Sequence, residues 1–161
     1  MNDQATRQEI DQLVSFAIAG EEFGVDILKV QEIIRIVNVT TVPQAPSFVE
    51  GVINFRGQIV PVVDLRRRFN LPSKARDNNT RIIVMELADK TVGFLVDSVQ
   101  EVIPIASVVI EAPPELVMSV ATRYITGVVK LEDRLLILLD LDRVLTTAEQ
   151  ELLVVEQELT T

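Results

Sequence analysis

Few residue types in this chain could do chemistry, because it contains no histidine and no cysteine. Their absence removes thiol nucleophiles, most zinc sites and the commonest general base. Acid–base catalysis would depend on carboxylates, and the candidates in predicted turns are Glu21, Glu22, Asp97, Glu132 and Asp133. No phosphate-binding loop, metal cluster or nucleophile–base motif accompanies them in the sequence. A small carboxylate-based enzyme is therefore one hypothesis for this protein.

Two other aspartates suit a structural role better than a catalytic one. Asp64 and Asp140 each precede a short segment that begins with leucine. A carboxylate at such a junction accepts a hydrogen bond from a free backbone N–H and so caps a helix. We interpret both aspartates as helix caps, with a short helix over residues 65–69 after the first.

Composition favours a soluble, β-rich protein. Of the 161 residues, 48% are apolar and only 4% are aromatic, so the core must be built from Val, Ile and Leu. The length suits one domain or two small subdomains that share a core. Residues 1–11 are polar and predict a flexible arm, and the longest apolar run, Leu135–Leu139, is too short to span a bilayer.

The formal net charge of −9 opposes sequence-independent binding to nucleic acid or to anionic lipid, since both need a cationic face. A nucleic-acid-binding small barrel would also need exposed aromatic residues, and the chain has a single tyrosine. The basic run Arg66, Arg67 and Arg68 predicts a solvated helix face or a contact for an acidic protein partner.

Hydrophobic periodicity predicts many short strands. For example, Val14, Phe16 and Ile18 alternate with smaller residues, which is typical of a half-buried strand. The predicted strands cover residues 13–19, 23–25, 35–42, 51–55, 58–63, 81–87, 91–96, 108–111, 124–131 and 134–139. Residues 27–34 predict about two helical turns behind Asp26, and Pro61 predicts an edge or a bulge. Residues 81–96 predict a hairpin covered on both faces at the centre of the core.

The chain contains an internal repeat. Residues 50–65, EGVINFRGQIVPVVDL, align without a gap on residues 126–141, TGVVKLEDRLLILLDL, at an offset of 76 residues. The preceding segments 23–36 and 94–105 match more loosely through a shared Val-Asp and a VQE motif. Two such units predict two small barrels related by pseudo-twofold symmetry around a shared apolar core, because closure hides the edges of a small sheet. The junction would leave a groove suited to peptides or partner helices.

Four ordered blocks of the sequence resemble the CheW family of chemotaxis coupling proteins. They are GEEFGVDILKVQEI, FVEGVINFRGQIVPVVDLRRRF, VGFLVDSVQEVI and ITGVVKLEDRLLILLDLDRVL. The resemblance as a whole covers roughly residues 13–145. The family usually has Asn-Leu-Arg-Gly where this chain has Asn54, Phe55, Arg56 and Gly57, a change that keeps an apolar residue.

The resemblance implies a fold and a function. The fold is mainly β: two SH3-like five-stranded barrels in a single domain, 12–145, with short helices and an acidic C-terminal helix over 146–161. The function is a cytoplasmic, non-enzymatic adaptor without a cofactor or metal, recruited to receptor arrays at the inner face of the membrane. The partners are the regulatory domain of the histidine kinase CheA and the cytoplasmic tip of methyl-accepting chemoreceptors. An unrelated β-barrel binding module is the remaining alternative.

By motif, the resemblance also implies receptor-binding residues. They are Val30, Glu32, Arg56, Gly57, Val96 and Val99. The valines would be apolar anchors and the two charged residues would orient a receptor helix at the rim of the groove. From the residues alone, the valines suit the core equally well, and Gly57 could serve only the positive φ of a tight turn. The resemblance places no kinase contact residue by residue.

Overall fold

The computed structural model describes residues 10–105, 109–112 and 124–143 of the 161. Most of the predicted arm and the whole predicted C-terminal helix lie outside these residues. The strands are β1 (Gln12–Ile18), β2 (Glu21–Asp26), β3 (Val30–Arg35), β4 (Val49–Phe55), β5 (Gln58–Asp64), β6 (Arg81–Leu87), β7 (Lys90–Val96), β8 (Ser98–Pro104), β9 (Val109–Glu111), β10 (Ile125–Lys130) and β11 (Leu135–Leu139). Helix α1 is Leu65–Arg68, and 3₁₀ turns cover Ile27–Lys29 and Leu141–Arg143. The predicted mainly β fold is confirmed.

The strands form two sheets that exchange hairpins between the two copies of the repeat. One sheet has the order β8-β1-β2-β11-β10-β9 and the other β3-β6-β7-β5-β4. Hairpin β1–β2 of the first copy therefore lies among strands of the second copy, and hairpin β6–β7 lies among strands of the first. Each exchanged hairpin joins its sheet on both sides, through the antiparallel pairs β1–β8 and β3–β6 and the parallel pairs β2–β11 and β5–β7. Neither sheet is built from one half of the chain.

The five-stranded sheet curls until its two ends meet. After β3, the chain crosses to the far edge of the sheet, where Thr40 and Val52 exchange two backbone hydrogen bonds of 2.9 and 2.8 Å. In the six-stranded sheet, β9 occupies the position that Thr40 has in the five-stranded sheet, because Glu111 pairs with Val128, the repeat equivalent of Val52. We call the two closed sheets the first barrel, with five strands, and the second barrel, with six.

The apolar residues form three clusters. One fills the first barrel around Val60, Ile82 and Val84, and another fills the second barrel around Val129 and Leu136. The largest cluster lies between the barrels. It includes Phe16, Phe23, Phe48, Ile83, Met85, Phe94, Leu139 and Leu141. Strand β6 alternates between the first barrel and this shared core, so the prediction that this hairpin is covered on both faces is confirmed.

Three local predictions were wrong. The strand predicted over residues 35–42 does not form, because β3 ends at Arg35 and only Thr40 makes an isolated β-bridge. Residues 27–34 form one 3₁₀ turn followed by β3, because β-branched residues favour the strand that β6 pairs with. Pro61 lies in an inner strand, although an edge or bulge was expected. The N–H and C=O of its partner Val52 both hydrogen-bond to Thr40. The pair of Val52 and Pro61 is therefore a non-hydrogen-bonded pair, in which the backbone groups of Pro61 point away from β4. Pairing of β5 with β7 begins only at Val62, and the missing N–H therefore breaks no ladder bond.

The aspartate caps are confirmed, and they recur with the repeat. Asp64 accepts a hydrogen bond from the Arg66 N–H at 2.9 Å, and Asp140 accepts one from the Asp142 N–H at 3.0 Å. Each copy also has a register shift just before the glycine at the start of its hairpin, Gly51 and Gly127. The repeat seen in the sequence is thus a repeat of capping and bulge geometry.

Ion pairs at the second position of each capped turn join the two halves of the chain. In α1, Arg66 donates two hydrogen bonds, of 2.9 and 2.7 Å, to Asp97 of the second copy. In the equivalent turn, Asp142 accepts a hydrogen bond from Lys29 of the first copy. The two joints have the same place in the fold and the opposite arrangement of charge.

Candidate functional site

Three of the residues assigned to receptor binding, Glu32, Arg56 and Gly57, lie together on the first barrel. Arg56 and Gly57 form the two-residue turn between β4 and β5, with φ of 53° and 81°, the type I′ geometry of a tight hairpin. The Gly57 N–H donates a 2.9 Å hydrogen bond to the Asn54 side chain, which fixes the turn. The Arg56 side chain is 73% exposed and its guanidinium lies 5.2 Å from the centre of the Phe55 ring.

An ion pair connects this turn to β3. The Arg56 guanidinium donates a hydrogen bond to the Glu32 carboxylate. Strands β3 and β4 stand at opposite ends of the strand order, so the pair crosses the line where the barrel closes. We call the surface formed by β3 and the β4–β5 turn the first seam.

The three apolar candidates separate into two groups. Val30 in β3 and Val99 in β8 are half-buried and both pack against the shared core, which places them where the two barrels join. Val96 is only 2% exposed and belongs to that core. Its side chain is therefore not part of the surface, and the apolar anchors among the candidates are Val30 and Val99.

Sequence reasoning missed two exposed apolar residues beside the first seam. Leu28 lies in the 3₁₀ turn before β3, and Ile33 follows Glu32 in the sequence but lies on the opposite, outward face of β3. A helix was predicted over residues 27–34, and in a helix Ile33 would not share a face with Gln31 and Arg35. Read as a strand, the same residues put Gln31, Ile33 and Arg35 on one exposed face.

Three of the five acidic residues considered for catalysis, Glu22, Asp97 and Asp133, are held in ion pairs. Hydrogen bonds from Arg66 hold the pKa of Asp97 below its usual range, against the opposing effect of burial, and the Ala19 N–H assists at 2.8 Å. Burial raises the pKa of Glu22, but hydrogen bonds from Arg134 and Ser15 outweigh it and keep that pKa low. A general acid needs the opposite shift.

Arg134 is the centre of the acidic group on the second barrel. Its guanidinium contacts Glu22 at 2.6 Å, Glu101 at 2.5 Å and Asp133 at 3.0 Å. Hydrogen bonds to Glu22 and Glu101 raise the pKa of Arg134. Among the described residues, no group of three or more acidic side chains is arranged to hold a metal ion.

Comparison with known proteins agrees with this geometry. Residues 12–149 match the CheW-like domain family. The chemotaxis protein CheW of Klebsiella aerogenes is 40% identical over 141 residues, which is 88% of this chain and 85% of that protein. That of Bacillus subtilis is 35% identical over 147 residues, 91% of this chain and 94% of that protein.

A solved structure matches as well. The scaffolding protein TtCheW from Thermoanaerobacter tengcongensis is 38% identical, with a TM-score of 0.75 over 83% of this chain and 91% of that one. Two SH3-like barrels around a shared core, with these relatives, define a chemotaxis scaffold protein. The chain belongs to the CheW family. In the part that the structure describes, no helix has the length and apolar character needed to cross a bilayer.

Proposed function

We propose that the protein is a non-enzymatic adaptor that couples methyl-accepting chemoreceptors to the histidine kinase CheA. The receptor tip binds at the first seam and the adjoining groove between the barrels. The regulatory domain of the kinase binds another barrel surface, so that both partners are held at once. The protein acts in the cytoplasm, at receptor arrays on the inner face of the membrane.

The single observation that carries the receptor site is the Glu32–Arg56 ion pair across the first seam. The Arg56 side chain is exposed and the Glu32 side chain is partly exposed, and a pair of opposite charges in such a position contributes little stability of its own. Exposed charges at a rim instead orient a partner and set the rate of association. The pair therefore serves recognition better than it serves folding.

Apolar residues suited to contact a receptor helix lie on and next to β3 and where the two barrels join. Val30 and Val99 contribute one half-buried surface from each barrel, and Ile33 and Leu28 add exposed apolar area on the first. A helix laid in a groove needs such anchors at intervals along one face. This arrangement supports a receptor contact centred on β3, and Val96 contributes only as part of the shared core.

Calorimetric titration tests the proposal. The purified protein is titrated with a receptor cytoplasmic fragment and, separately, with the regulatory domain of CheA. Arg56→Glu is expected to bind the receptor at least about tenfold more weakly, because it reverses a rim charge and opposes Glu32. It should bind the kinase domain like wild type.

The matched control is Lys130→Glu, which makes the same charge change and also reverses the basic partner of an exposed ion pair, here with Glu111 on the second barrel. Circular dichroism establishes that both variants fold. Equal receptor affinity for the two variants contradicts the placement of the site, and a wild-type protein that binds neither partner contradicts the adaptor function.

A further inference from the structure

A surface built like the first seam lies on the second barrel, and the proposed function does not use it. It is formed by β8 and the turn between β10 and β11, and we call it the second seam. Between these elements is a groove of about 630 Å³, lined by residues that include Val102, Pro104, Leu131 and Glu132. A volume of this size accommodates several side chains of a partner.

The repeat relates the two seams position by position. The offset of 76 residues places Glu132 and Asp133 where the first copy has Arg56 and Gly57. The shared VQE motif places Glu101 at the position of Glu32. An ion pair again links the edge strand to the turn, here between Glu101 and Arg134. The charge at the tip of the turn is reversed, from basic to acidic.

The second seam has an excess of negative charge. Arg134 is already held by Glu22, Glu101 and Asp133. Glu132 is exposed at the turn and has no ion pair among residues 10–105, 109–112 and 124–143. Several carboxylates thus surround one guanidinium, and an incoming cation would find an uncompensated acidic rim.

Apolar residues stand beside these carboxylates. Val102 is 47% exposed and lines the groove, and Leu135, which follows Arg134, is 63% exposed. Val102 occupies the repeat position of Ile33, which is also exposed. An exposed β-branched residue next to the glutamate of the seam is therefore a feature of both barrels.

The backbone of β8 argues against docking by strand addition. β8 is the last strand of its sheet, and the Ile105 N–H donates to the Asp11 carbonyl at 2.9 Å. Hydrogen-bonding direction alternates along an antiparallel edge, so Pro104 presents its backbone outward. Proline has no N–H to offer a new strand at that point. Side-chain docking in the groove is the better-suited mode.

We propose that the second seam binds an amphipathic helix of a partner protein whose polar face is rich in arginine or lysine. Its aliphatic residues contact Val102 and Leu131 in the groove, and its cations contact Glu132, Asp133 and Glu101. The first seam and the second seam then select partners of opposite charge.

The test uses the full chain and a fluorescent helical peptide of about twenty residues, long enough to be helical in isolation. The peptide is alanine-based, with a leucine stripe flanked by arginines, and a second peptide has glutamates in their place. Fluorescence anisotropy is expected to show binding of the arginine peptide alone. Glu132→Lys should weaken that binding about fivefold to tenfold, since it turns an attraction at the rim into a repulsion.

Glu86→Lys is the matched control, because it makes the same change in net charge at an exposed position in β6 of the first barrel. It is expected to bind the arginine peptide like wild type. Equal weakening by the two variants would show only general attraction to an acidic protein and would overturn the proposal, as would equal binding of the glutamate peptide. Glu132→Lys is also titrated with the receptor fragment and is expected to bind it like wild type. Failure of the second-seam proposal can then be distinguished from failure of the receptor site at the first seam.

Discussion

Side-chain ion pairs add to the strand pairings that join the two halves of the chain. The side chains of Arg66 and Asp97 are each about 15% exposed, and their two hydrogen bonds hold α1 against the turn that follows β7. A charge-assisted pair of this kind stabilises only while both partners are ionised. Its contribution therefore depends on pH.

Asp97→Asn is expected to lower the free energy of unfolding at pH 7 by about 2 kcal/mol, because a hydrogen bond to a charged group is lost. The pKa of Asp97 in the folded protein is below that of an unfolded aspartate, about 3.9. Its stabilising effect is thus complete above about pH 5 and is lost as the pH falls through the folded pKa. Urea titrations between pH 7 and pH 3 should show a shallower acid loss in the variant; parallel curves would contradict this account.

Gly51 is required by a close backbone approach. Its φ is 153°, and an added Cβ would lie 2.2 Å from the Thr40 carbonyl oxygen. Backbone cannot shift as a side chain can, so Gly51→Ala is expected to cost at least about 2 kcal/mol in chemical denaturation.

Gly127, the repeat equivalent of Gly51, provides the comparison for Gly51→Ala. At Gly127, the nearest atom to an added Cβ is the Ile110 Cγ2, at 3.0 Å, which belongs to a side chain. Gly127→Ala should therefore cost less than half as much. Equal losses would show that barrel closure at Thr40 is not what Gly51 protects.

At the level of elements, the sequence predicted the hairpin strands more reliably than it predicted the structure of residues 27–34. Hairpin β6–β7 was recognised because both of its strands are apolar on two faces. Strand β3 was not recognised within residues 27–34. Ile27, Val30 and Ile34 fit a helical period, and the partner strand β6 lies far away in sequence. Of the receptor-site residues, Glu32 and Arg56 are adjacent in the structure, but alternation alone could not show that Val96 faces the shared core.

The β4–β5 turn allows structure and recognition to be separated at Gly57. An added Cβ there would meet no atom within 4 Å, and only the positive φ restricts the residue. Asparagine tolerates this conformation, whereas a β-branched residue is strained in it. Gly57→Asn should lose less than about 1 kcal/mol of stability and Gly57→Val more.

Receptor titration of these variants then shows what the glycine does. If Gly57→Asn binds the receptor fragment like wild type, the glycine serves the turn. Loss of binding by a stable Gly57→Asn would show that the partner needs the bare backbone.

For the whole molecule, the shared core makes the barrels one folding unit. Leu136→Ala empties part of the second barrel and Ile82→Ala part of the first, both at fully buried positions. Each should cost about 3 kcal/mol. Because hairpins are exchanged between the barrels, calorimetry should still show a single transition, with equal calorimetric and van't Hoff enthalpies. Two resolved transitions in either variant would show that the barrels unfold separately.

The hairpin exchange also affects how the protein is made. When residues 1–75 have left the ribosome, the segments that will form β1 to β5 have been synthesised. The hairpin β6–β7, which lies between β3 and β5, and the strand β11, which pairs with β2, have not. A fragment of residues 1–75 should thus show no dispersed amide resonances, and adding residues 76–161 should restore them. Dispersed resonances from the first fragment alone would refute this. Folding is then mainly post-translational, and the emerging half depends on its own solubility or on chaperones until synthesis is complete.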